Sequence, residues 1–163
     1  MSTIINVPVI NNSKNPLPKY ETTEAAGMDL RASLTNLSPK FLFNAYIESG
    51  KVIIEPRGRA LIPTDLHMSI PEGYELQIRP RSGLALKYGI TVLNTPGTID
   101  ADYTGNIGII LINHGEKPFI VENGDRIAQG VFAKIVNAEF QSVDSLEKTE
   151  RGDGGFGHTD VKW

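Results

Sequence analysis

Residues 94–113 read NTPGTIDADYTGNIGIILIN, and the fold turns on how this stretch divides. Asn94, Thr95, Pro96 and Gly97 suit a tight turn rather than a helix or a central strand. Asp100 and Asp102 follow, then Tyr103, a second glycine turn, and an apolar run from Ile107 to Ile112. That run is short, β-branched and bounded by breakers, which predicts a buried strand. The two carboxylates then sit on a rigid loop at a strand's mouth. On an extended segment they point the same way, with Ala101 opposite.

The same period of two recurs outward from this stretch. Tyr74, Leu76 and Ile78 alternate with Glu75, Gln77 and Arg79, a strand with one buried face. Residues 52–54, 60–62, 91–93 and 119–121 are further short β-type runs. Residues 130–136 predict another strand, with Val131, Ala133 and Ile135 alternating. A short helix is predicted around residues 84–88, after Ser82. Residues 38–51 read as an irregular loop inserted between strands. With 16 glycines and 10 prolines punctuating the chain, the prediction is an all-β, jelly-roll-like barrel of many short strands with at most one short helix. The barrel domain is expected over 1–140, and a flexible, glycine-rich C-terminal arm over 141–163.

Composition narrows the function classes. A chain of 163 residues can bury a real core without disulfides, and the absence of cysteine excludes thiol catalysis and Cys-ligated zinc. The net charge of −3 argues against a broad nucleic-acid surface but leaves room for a small anionic ligand held by local arginines. His67, His114 and His158 lack metal-ligand spacing. The N-terminal MSTIINVPVI carries no signal-peptide pattern, and no apolar run suits a spanning helix, so a cytoplasmic protein without a membrane partner is expected.

Several segments could carry chemistry. Arg81, Ser82 and Gly83 open the short helix, where backbone N–H groups, a hydroxyl and a guanidinium make a phosphate-binding corner. An N-capping serine beside a surface arginine fits the same residues. Asn94 can read a base edge with its amide or simply stabilise its own turn. Paired carboxylates suit metal binding, activation of water, or only a polar loop. Tyr103 can pack against a sugar ring or plug the loop. Asp29 is an awkward charge in a strand-like run, and both it and Asp125 can partner an arginine. The tail, RGDGGFGHTDVKW, has the donors to close over a ligand and the glycines to stay disordered.

Together these segments resemble the trimeric dUTP pyrophosphatase (dUTPase) family. Its five ordered motifs are matched by AAGMDLRAS (25–33), RPRSGLALKYG (79–89), NTPGTIDADYTG (94–105), NGDRIAQ (123–129) and RGDGGFGHT (151–159). The resemblance implies a homotrimer with shared active sites that hydrolyses dUTP to dUMP and pyrophosphate with Mg²⁺, limiting uracil in DNA and supplying dUMP for thymidylate synthesis. It implies Asp100 as general base, with Asp102 holding the turn. Asn94 and the backbone of Gly97, Thr98, Ile99 and Gly108 would read uracil, and Tyr103 would stack under the deoxyribose. Arg81, Ser82, Gly83 and Gln129 would grip phosphate from a neighbouring subunit. Asp29 would help hold Mg²⁺ through water. In the tail, Arg151 would pair with the γ-phosphate, Phe156 would cover the base, and Gly157, His158 and Thr159 would contact phosphate.

The chain departs from the family pattern at Thr104, where an arginine is common, and at His158, Thr159 and Asp160, where Ser-Thr-Gly is common. These changes remove positive charge or add negative charge near a triphosphate. A dCTP deaminase of similar architecture needs an acid in the strand after the aspartate turn, and residues 108–113 carry none. A non-catalytic uracil-nucleotide binder would have no need of Asp100 or Arg151. A purely structural β-trimer leaves Arg81-Ser82-Gly83 and the tail unexplained.

Overall fold

The computed structural model describes residues 4–155, whose regular elements are mostly strands. In chain order they are β1 (Val9–Asn11), β2 (Met28–Arg31), β3 (Leu42–Glu48), β4 (Lys51–Pro63), β5 (Leu66–Met68) and β6 (Tyr74–Arg79), then the single α-helix α1 (Ser82–Tyr88). β7 (Ile90–Val92), β8 (Gly97–Ile99), β9 (Gly108–Asn113), β10 (Phe119–Val121) and β11 (Arg126–Lys134) complete the set. One sheet runs β10-β4-β9-β7, with β3 also on β4; a second runs β2-β11-β6-β8; β1 and β5 form a small third. The all-β, jelly-roll-like expectation is met as packed sheets, every pairing antiparallel.

The core lies between the two larger sheets. Ile54, Ile62, Ile109 and Leu111 from one meet Leu30, Leu76, Ile78 and Ala128 from the other, all buried. Each comes from an alternating strand, so one pleat face is apolar and the other is left to solvent or to a site. Asn113 ends β9 fully buried, its amide donating to the Ile54 and Lys117 carbonyls (2.9 and 2.8 Å) and accepting from Gly115 N–H (2.8 Å). Gly89 closes α1 in the left-handed region at φ +68, where a side chain is disfavoured.

Three expectations change. Residues 52–54 and 60–62 belong to one 13-residue strand, β4. Pro56 and Gly58 read as breakers, yet they sit in an irregularity opposite Asn44 where ladder bonds are already interrupted. Residues 38–51 are not an irregular loop: a 3-10 turn (Pro39–Phe41) leads into β3, which forms a hairpin with β4. In β11 the core face is Ala128, Gly130 and Phe132, not the Val131 phase, because these residues pair with Leu30, Ile78 and Leu76. Leu76 Cδ1 lies 3.0 Å from where a Gly130 Cβ would stand, so the leucine fills the space the glycine leaves. A small residue hid the apolar face.

Candidate active site

β6 ends at Arg79, and Pro80 then turns the chain so that Arg81 stands extended (φ −92, ψ 127) as the N-cap of α1. No side chain caps this helix; Ser82 is its first residue and is exposed, so the N-capping role is not taken up. Arg81 reaches across the sheet instead. Its Nε donates to Asp29 Oδ1 at 2.8 Å and its NH1 to the Arg126 carbonyl at 3.0 Å. Arg126 NH1 donates to the other Asp29 oxygen at 3.2 Å. Asp29 therefore holds two guanidiniums, and the trio keeps a net positive charge.

The register explains why these residues meet. Asp29 on β2, Gln129 on β11 and Arg79 on β6 are direct cross-strand partners, so their side chains share one face. Gln129 Nε2 donates to the Pro80 carbonyl at 2.9 Å, tying down the turn that presents Arg81. A Cβ at Gly27 would come within 2.4 Å of Gln129 Oε1, so that glycine makes room for the amide. Asp125 pairs with no arginine among the described residues; its carboxylate accepts Glu122 N–H at 2.8 Å and closes the turn before β11.

The second group lies on residues 93–108. β7 and β8 belong to different sheets, each at its edge, so the loop between them crosses the end of the sandwich. An edge strand leaves the backbone N–H and C=O of alternate residues unpaired, so β8 presents a free backbone edge on the side away from β6. The Thr95–Pro96 peptide is cis. Asn94 is exposed, with its Nδ2 3.2 Å from the position of a Gly97 Cβ. Gly108 pairs with Pro63 at the start of β9. Asp100 is exposed, and its carbonyl accepts Tyr103 N–H at 3.1 Å. The Asp102 carboxylate makes no hydrogen bond among the described residues, so the backbone, not Asp102, holds this turn.

Residues unremarked in the sequence brace the loop from below. Asp65, 1% exposed, accepts hydrogen bonds from Ser33 Oγ (2.6 Å), Asn36 Nδ2 (3.1 Å) and Asn106 Nδ2 (2.8 Å). No local pattern announces this cluster; only Asp65 beside an apolar strand offered a hint. Arg151 Nε donates to the Gly154 carbonyl at 2.9 Å on an exposed turn. Phe156, Gly157, His158, Thr159 and Asp160 lie outside the described residues.

The two groups stand at opposite corners of one sheet. Gly97, Thr98 and Ile99 pair with Ile78, Gln77 and Leu76, which puts Asp100 at the level of Glu75, whereas Asp29 and the Arg81 guanidinium sit at the level of Arg79, three strands over. At about 3.3 Å per residue and 4.8 Å per strand, the separation within one chain is roughly 19 Å. An apolar hollow of about 680 Å³, lined by Val7, Leu17, Met28, Tyr74 and Phe132 among others, contains none of the predicted site residues. Among the described residues no three His, Asp or Glu side chains cluster to hold a metal, and no helix is long and apolar enough to cross a membrane.

The dUTPase family profile matches residues 47–160. A deoxyuridine 5'-triphosphate nucleotidohydrolase of Finegoldia magna is 48% identical over 155 residues, covering 95% of this chain and 99% of that protein. The dUTPase of Staphylococcus bacteriophage 80alpha, solved with dUPNHPP, superposes with a TM-score of 0.78 at 28% identity, covering 96% of this chain and 99% of that one. The dUTPase of phage phi11 of S. aureus, described with a structural Mg(II) ion, shares the fold at 24% identity, with a TM-score of 0.71 over 88% of this chain and 100% of that one.

Proposed function

The chain belongs to the dUTPase family and hydrolyses dUTP to dUMP and pyrophosphate, and we propose that it does so at sites shared between the subunits of a homotrimer. The observation that carries this reading is the strand register, which sets Asp100 and the Arg81 guanidinium at opposite corners of one sheet, roughly 19 Å apart at ordinary strand spacings. A water-orienting carboxylate and a phosphate-gripping arginine act on one phosphorus only at near-contact distances. A cyclic trimer solves this by setting one subunit's Asp100 corner against the next subunit's Arg81 corner.

Asp100 orients a water and takes its proton as the water oxygen attacks the α-phosphorus in line; the bond to the bridging oxygen breaks and pyrophosphate leaves. A carboxylate is a weak base at neutral pH, so positioning and charge stabilisation supply most of the acceleration. Arg81, Ser82 and Gly83 take the phosphates, with Gln129 keeping their turn in place. Uracil meets the free edge of β8 at Gly97, Thr98 and Ile99, together with Asn94 and Gly108. A slot made mainly of backbone rejects thymine by clash with its methyl and cytosine by mismatched hydrogen bonds. Tyr103 lies under the deoxyribose, and Arg151, Phe156, Gly157, His158 and Thr159 close over the nucleotide.

Both Asp29 oxygens already accept from arginines, so Asp29 does not suit direct coordination of a metal. It fits Mg²⁺ only through water, with the substrate's phosphates as the main ligands. Bound there, Mg²⁺ would offset phosphate charge. The test of the reading is pyrophosphate release measured separately with dUTP, dTTP, dCTP and UTP. Release confined to dUTP is expected; equal turnover of all four would remove the base and sugar readings together.

A further inference from the structure

We infer that Gly105 and a buried Asp65–Asn106 clasp are the positioning elements that fix the Tyr103 ring and thereby set the discrimination between deoxyribose and ribose. The inference rests on the reading that Tyr103 meets the sugar. Asp65 sits at φ +55, a region disfavoured for a side-chain-bearing residue, and such a conformation persists only where surrounding contacts over-determine it. Those contacts are specific. Asn106 Nδ2 donates to Asp65 Oδ1 at 2.8 Å, and Asp65 N–H donates back to Asn106 Oδ1 at 3.1 Å. Both ends of the Asn106 amide are thus held. Ser33 and Asn36 hold the carboxylate from the other side.

The clasped residue is the one that receives the tyrosine: Tyr103 Oη donates to the Asn106 carbonyl at 2.9 Å. Next to it, a Cβ on Gly105 would lie 2.5 Å from Tyr103 Oη, 2.6 Å from Cζ and 2.9 Å from Cε2. The ring tip therefore rests against the Gly105 α-carbon, where only glycine leaves space. With its base held by the Asp100 turn and its tip by Asn106, the ring is anchored at both ends although 44% exposed. Steric rejection of one extra hydroxyl needs such a wall, because a ring free to swing yields to the larger sugar.

The test combines two readouts on verified, folded protein. Fluorine NMR of 3-fluorotyrosine-labelled enzyme, with the Tyr103 resonance assigned through Tyr103→Phe, reports the ring directly. The ratio of kcat/KM for dUTP to that for UTP reports discrimination. Gly105→Ala should fold, because the added methyl meets the far end of a side chain that can move, and it should shift the ring resonance. Asp65→Gly suits the positive φ, so its effect reports loss of the carboxylate rather than backbone strain. Asp65→Asn should restore the wild-type ratio, since its oxygen still accepts and the Ser33 hydroxyl can accept in turn.

Tyr103→Ala should lower the dUTP to UTP ratio about tenfold, and Gly105→Ala and Asp65→Gly should move it the same way. On a Tyr103→Ala background, Gly105→Ala should add nothing further. An unmoved resonance in both Gly105→Ala and Asp65→Gly overturns the positioning. A moved resonance with an unchanged ratio in Tyr103→Ala overturns the sugar reading, and with it the specificity claim. A shifted ratio in Tyr103→Ala with none in Gly105→Ala overturns the claim that ring position sets the discrimination.

Discussion

If Asp100 and Arg81 serve one site from two subunits, two inactive variants should rescue each other. The perturbation pairs Arg81→Ala with Asp100→Asn, each expected to form an inactive homotrimer. The registers place the two residues roughly 19 Å apart in one chain, so neither can complete a site alone. In trimers assembled at random from equal amounts, a site is intact when its Asp100 donor is an Arg81→Ala subunit and its Arg81 donor an Asp100→Asn subunit. That holds for one assignment in four, so the refolded population should recover about one quarter of wild-type turnover, with roughly one site in three intact in each mixed trimer. The assay is co-refolding of the two chains, native mass spectrometry to confirm mixed composition, and pyrophosphate release from saturating dUTP. Activity staying at the level of the parents in confirmed mixed trimers would refute the shared site. It would require a rearrangement bringing both residues together within one chain.

Further outcomes follow from the same geometry. Asp100→Asn should bind the imido analogue dUpNHpp within a few-fold of wild type by calorimetry while kcat falls about 10²- to 10⁴-fold, as for loss of a general base. Asn113→Ala strands the Ile54 and Lys117 carbonyls and Gly115 N–H, and should destabilise the fold by about 2 kcal/mol in urea unfolding. A chain ending at Glu150 should keep its circular dichroism spectrum and trimeric mass but hydrolyse dUTP poorly; unchanged kcat/KM would remove the tail from the mechanism.

Much of the architecture was legible because strand signals are local. The alternation from Tyr74 to Arg79 and the β-branched run before Asn113 each name a strand and its buried face from a few neighbouring residues. The failures have equally concrete causes. Pro56 and Gly58 break the pattern of β4 without ending it, because the irregularity opposite Asn44 removes the need for ladder bonds there. Gly130 concealed the core face of β11, since a glycine whose missing side chain is replaced by the Leu76 methyl group reads as apolar only in the company of that leucine. Asp102 looked like a turn-holder, but the turn is closed by backbone from Asp100 to Tyr103.

The candidate site divides along the same line. By itself the sequence determined which chemical groups are present and that they resemble five ordered motifs: a carboxylate at Asp100, a guanidinium at Arg81, an amide at Gln129. Only the tertiary structure decided which of them meet. Arg81 joins Asp29 across 52 positions, Arg126 joins Asp29 across 97, and Asp65 clasps Asn106 across 41, while Asp100 stands at the far corner of the sheet from Arg81. Periodicity reports how a backbone runs over a few residues. A hydrogen bond between distant segments depends on strand register, and register is fixed by the packing of the whole core.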